Sequence, residues 1–100
     1  FSSFKFDVKS LNVLMSQIEK IIENLLLGKS DNNFRFNEIV QLLESLGFNK
    51  RIKGDNFIFY AENINEILNI QPNGSKAKAY QVKQIRNIII KYKLNEGRNV

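Results

Sequence analysis

Residues 53–56 read Lys-Gly-Asp-Asn, a cation, two turn formers and a primary amide in immediate succession. A turn N–H, an amide and an ammonium group together form a donor set that suits a phosphate. In that chemistry Gly54 makes the turn, Lys53 supplies the counter-charge and Asn56 offers the side chain. The plainer reading of the same residues is a hairpin, with glycine taking unusual backbone angles and Asp55 and Asn56 bonding locally. A second stretch carries the same chemistry. Residues 71–94 hold six basic side chains, Lys76, Lys78, Lys83, Arg86, Lys91 and Lys93, and no acidic one. Backbone donors at a helix start, with Lys76 and Lys78 beside them and Lys83 and Arg86 along the helix, would grip an anionic backbone. The plainer reading here is a solvated loop with Ser75 as a cap.

The rest of the composition narrows the options. The chain has neither histidine nor cysteine, which excludes thiolate metal sites, disulfides and histidine-based acid–base catalysis. Its ten carboxylates are scattered; Glu19 and Glu23 share a helix face but flank a lysine and suggest a solvated surface. No phosphate-binding loop, nucleophile elbow or dinucleotide fingerprint is present. A function without metal or cofactor is therefore expected. No apolar run approaches the ~20 residues of a bilayer span, so no membrane partner is expected and the expected setting is the cytoplasm. A net charge of +5, concentrated in one arm, favours nucleic acid as partner, with an acidic protein as the alternative.

These residues need a scaffold, and hydrophobic periodicity supplies one. Leu11, Leu14, Ile18, Ile21, Ile22 and Leu25 recur at helical spacing, with Ser10 as cap and Gly28 as stop. A second helix is predicted from a capping Asn37 through Leu46 to Gly47. The period then shortens to two. Residues 50–53 and 56–60 read as a hairpin closed by Gly54-Asp55, residues 61–65 as a turn and 66–71 as a third strand. Phe57 and Phe59 would face the core, although Phe57, beside the turn, is also a candidate for base stacking. Pro72-Asn73-Gly74 ends the sheet, and residues 74–79 read as a flexible basic lead. The last helix is predicted over 79–92, with Val82, Ile85, Ile88, Ile89 and Tyr92 inward. The expectation is an α+β two-layer domain, α-β-β-β-α with an additional N-terminal helix, over residues 10–94. Residues 1–9 and 95–100 are expected to be a flexible extension and tail.

Four segments in this order resemble the HicA family of toxin–antitoxin mRNA interferases: 36–48 (FNEIVQLLESLGF), 51–59 (RIKGDNFIF), 66–72 (EILNIQP) and 76–86 (KAKAYQVKQIR). The likeness runs from about residue 18 to 94. It implies a double-stranded-RNA-binding-domain-like fold, metal-independent cleavage of mRNA and neutralisation by a HicB-type antitoxin. It also implies that Asn56 occupies the position of the family's catalytic histidine, with Phe57 where a second histidine often follows. An amide cannot exchange protons near neutral pH as imidazole does, and losing proton transfer typically lowers rates by about 10²–10⁴-fold. The expected function is RNA binding with weak or absent nuclease activity. The alternatives are an interaction module that binds only the antitoxin, and a ribonuclease working through Lys53 or Tyr60.

Overall fold

A computed structural model describes residues 8–96, with side chains from residue 12 onward. The order is α1 (Val8–Leu27), α2 (Phe36–Ser45), β1 (Asn49–Lys53), β2 (Asn56–Ala61), β3 (Ile64–Ile70), β4 (Pro72–Asn73), β5 (Lys76–Ala77) and α3 (Ala79–Tyr92). The fold is α+β. Strands β1, β2 and β3 form an antiparallel meander in that spatial order, and the helices lie on one of its faces.

Strand alternation decides which face is covered. Phe59, Leu68 and Ile70 point inward and are buried, and Phe57 packs edge-on against Phe36 of α2 with ring centroids 4.9 Å apart. From the helices come Ile18, Ile22 and Leu25 of α1, Ile39, Leu42 and Leu43 of α2, and Val82, Ile85 and Ile89 of α3. The stretch 88–90, three isoleucines, is helical despite its β-branching, because Ile88 and Ile89 continue the buried stripe of Val82 and Ile85 at helical spacing.

Helix α1 starts before the expected cap: Ser10 lies inside it, and the presumed boundary at residue 10 falls within a helix that begins at Val8. Residues 1–7, most of the expected N-terminal extension, and residues 97–100, most of the expected tail, lie outside the described residues. The apolar stripe of α1 is only partly buried. Ile18, Ile21, Ile22 and Leu25 are in the core, whereas Leu14 is exposed beside Val13 and Met15. The reason is length: α1 has 20 residues and α2 has 10, so α2 reaches only about half of the ~30 Å that α1 spans.

Helix α2 also begins earlier than expected. Asn37 does not cap it. Instead the Arg35 N–H donates to Glu38 Oε1 at 2.9 Å, and the Phe36 N–H donates to the Ser75 carbonyl at 2.9 Å. Two helix-start donors are thus satisfied without an asparagine cap. At the other end Gly47 and Phe48 donate back to the carbonyls of Glu44 and Leu43, closing the helix as expected.

Residues 74–79 are not a flexible lead. Residues 72–77 form a second, tight hairpin, with Pro72 opposite Ala77 and Asn73 opposite Lys76. Ala77 is buried, its N–H donates to the Phe34 carbonyl at 3.0 Å, and the backbone of Lys76 pairs antiparallel with that of Arg35. The hairpin therefore clamps the entry to α2 and fixes the start of α3. Ser75 contributes through its carbonyl, and the residue at the helix cap is Lys78.

Candidate nucleic-acid interface

The β1–β2 hairpin closes through the pair Lys53–Asn56, with Gly54 at φ +61° as the first of its two turn residues. A positive angle there, followed by an ordinary one at Asp55, is the pattern of a type II′ turn. Its consequence is that Lys53 and Asn56 are cross-strand neighbours on one side of the sheet, facing away from the helices.

Asn56 does not stand alone. Gln71, just beyond β3, donates from Nε2 to Asn56 Oδ1, and its own Oε1 accepts from Lys78 Nζ at 3.2 Å. The Gln71 backbone N–H donates to Gln81 Oε1 at 3.3 Å, and Gln81 Nε2 donates to the Asn69 carbonyl at 3.0 Å. Gln81 is the one buried polar side chain among the described residues, and both ends of its amide are used. It ties the start of α3 to the end of β3, and so fixes how far Lys78 stands from Asn56. The chain of bonds leaves Asn56 with its acceptor occupied and its Nδ2 donors without a protein partner among the described residues. An amide in that state is a donor toward an incoming anion, and ammonium groups lie on both sides.

Lys53, Gly54, Asn56 and Lys78 are thus brought to one end of the sheet, although Lys78 is far from the others in sequence. Lys76 and Lys83 are not part of this group: Lys76 sits on the second hairpin, and Lys83 is exposed on the outer side of α3. Arg86 is committed elsewhere. Its guanidinium makes a two-pronged contact with Asp31, Nη1 to Oδ1 at 2.9 Å and Nη2 to Oδ2 at 3.1 Å, and donates to the Leu25 carbonyl at 3.1 Å. The hydrogen bonds to Asp31 raise its pKa further, so it stays charged while it holds that carboxylate. Lys91 is paired as well, donating to Glu66 Oε2 at 2.8 Å while the Tyr92 hydroxyl donates to Oε1 at 2.7 Å. Those two bonds, led by the one from Lys91, lower the Glu66 pKa to about 2. The arm that lacks acids in sequence therefore receives two carboxylates in space, from the loop after α1 and from β3.

A cavity of about 530 Å³ lies elsewhere, between α1 and α2, with Gln17, Asn24, Asn33 and Gln41 among its lining residues. Its charges are one Lys20 and one Glu38, the latter already bonded to Arg35, so it lacks the single-sign character of the sheet end. No group of three or more His, Cys, Asp or Glu among the described residues is arranged to hold a metal ion. No helix among them is long and apolar enough to cross a membrane.

Sequence reading missed Gln71 and Gln81. Gln81 was detectable in principle, since it occupies the inner stripe with Ile85 and Ile88, where a polar residue demands partners. Gln71 carried no such sign. Comparison of the chain with protein-family models, curated proteins and solved structures finds no match.

Proposed function

We propose that this chain is a cytoplasmic RNA-binding protein of the HicA kind, with weak or absent mRNA cleavage, whose natural partner is a HicB-type antitoxin. The observation that carries the RNA-binding part is the row Lys53–Asn56–Gln71–Lys78, in which two cations flank an amide whose donors have no protein partner among the described residues. That row offers charge and hydrogen bonds to a phosphate and contains no histidine to carry a proton. The element order α2-β1-β2-β3-α3 agrees with the fold that the family likeness implies. The second hairpin is an addition to that order. A ribonuclease acting through Lys53 has less support, because Lys53 is exposed and lacks the apolar enclosure a proton-transferring lysine requires.

The test is an mRNA binding and cleavage assay on the protein and on Asn56→His, with EDTA throughout. Both proteins are expected to bind RNA, and the histidine form to cut it at least about 10²-fold faster. Cleavage by the unaltered chain at the rate of Asn56→His would overturn the assignment of Asn56. Absence of RNA binding by either, with tight binding to a HicB-type protein, would leave only the interaction-module reading.

A further inference from the structure

We infer that the uncovered face of the β1–β2–β3 sheet is a platform for single-stranded RNA, continuous with the Asn56 row; the inference rests on the RNA-binding reading above. The helices cover only the side of Phe59, Leu68 and Ile70. On the other side the pairing register places Arg51 opposite Ile58 and Ile58 opposite Asn69, with Lys53 opposite Asn56 one row further along. Next to them in the other direction stands Tyr60, 41% exposed, and on β3 Ile67, 64% exposed. Together with Ile58, these two side chains put apolar surface on the middle and edge strands of one open sheet face, where a partner with flat apolar groups can lie.

Charge indicates what lies there. The outward residues of the three strands include Arg51 and Lys53 and no carboxylate; Asp55 and Glu62 are confined to the turns at the two ends. A second copy of this chain would bring the same two cations against themselves, in a protein whose net charge is already +5. A polyanion with flat apolar surfaces fits instead. A tyrosine ring, two isoleucines and the amides of Asn56 and Asn69 can meet base faces and base edges, while Arg51 and Lys53 meet phosphates. Duplex RNA keeps its base faces stacked inside the helix, so Tyr60 and Ile67 would gain nothing from it. The occupant is therefore single-stranded, with its backbone passing the Lys53–Asn56–Lys78 end and its bases lying toward Tyr60.

The chain contains no tryptophan, so Tyr60→Trp gives a single reporter on the platform with little change in shape. The protein carrying it would be titrated with a labelled single-stranded RNA of about 12 nucleotides, then with the same RNA annealed to its complement. Tryptophan emission and RNA anisotropy would be read together. The expected result is quenching that tracks the anisotropy rise for the single strand, and duplex affinity at least about tenfold lower. In parallel, Tyr60→Ser is expected to weaken single-strand binding about tenfold with thermal unfolding that remains cooperative. If anisotropy rises while the tryptophan emission stays unchanged, the RNA lies elsewhere, and this inference falls while the RNA-binding reading stands. If neither signal responds to RNA, both fall. Quenching by poly-glutamate and not by RNA would assign the face to an acidic protein and overturn the inference.

Discussion

Lys78 and Arg86 belong to the same basic stretch and the same helix, one at its cap and the other midway along it, yet they meet opposite surroundings. Around Arg86 the chain supplies a carboxylate and a carbonyl, and the guanidinium side chain retains only 14% of its exposure. Around Lys78 it supplies an amide: Gln71 accepts from the ammonium, and no carboxylate among the described residues pairs with it. Amides orient a cation without neutralising it, whereas carboxylates neutralise it. Cations in one acid-free stretch of sequence thus serve two ends: Arg86 and Lys91 join α3 to the loop after α1 and to β3, and Lys78 faces outward beside Asn56. The lesson is that a run of like charge describes a partner only after each member's spatial neighbours are known.

Substitution at Arg86 should cost the fold most. Arg86→Ala leaves Asp31, itself only 22% exposed, without its partner, and should cost about 2–3 kcal/mol in urea unfolding while RNA affinity per folded molecule stays unchanged. An unaltered midpoint, or an RNA affinity that falls in proportion, would remove the distinction between structural and available cations. Next is Gln81→Ala, which strands the Gln71 N–H and the Asn69 carbonyl at the buried end of the network. It should cost about 1–2 kcal/mol and also weaken RNA binding, because Gln71 loses its anchor. A smaller effect of opposite sign is expected at Lys93, which ends α3 at φ +55°, a conformation usually left to glycine. Lys93→Gly should stabilise the fold by about 0.5–1 kcal/mol, read as a raised unfolding midpoint.

The other carboxylate-paired cation gives a pH signature. Glu66 has its pKa depressed from 4.5 to about 2 by the bonds from Lys91 and Tyr92. A depressed folded-state value means that the contribution is complete above pH 4.5 and is lost as pH falls toward 2. Stability followed by circular dichroism should decline through that window, and Glu66→Gln should flatten part of the decline. Parallel curves for the two proteins would mean that this exposed pair contributes nothing to the folded state.

Much of this arrangement was legible in the sequence, for identifiable reasons. The span of α3 and the register of Lys53-Gly54-Asp55-Asn56 follow from patterns within a few residues of one another, a helical stripe and a two-residue turn. The β4–β5 hairpin was not legible, because strands of two residues have no period to read. Nor was the early start of α2, since the acceptor for the Phe36 N–H is a carbonyl from the second hairpin. At the candidate site the split is the same. Lys53 and Asn56 announce themselves as neighbours, whereas Lys78 reaches them only through Gln71, whose role depends on where α3 docks.

Whether RNA is held at the Lys53–Asn56–Gln71–Lys78 row is decided by RNA affinity measured across a salt series for the unaltered protein, for Lys53→Ala with Lys78→Ala, and for Lys83→Ala. Removing the two lysines beside Asn56 is expected to weaken binding and to flatten the dependence of log K on log salt. The slope should fall by about 0.7 for each phosphate of a single strand that the double variant no longer neutralises. Lys83→Ala should leave that slope close to the original. An unchanged slope in the double variant, or an equal weakening on removing Lys83, would contradict the assignment of RNA binding to the Lys53–Asn56–Gln71–Lys78 row.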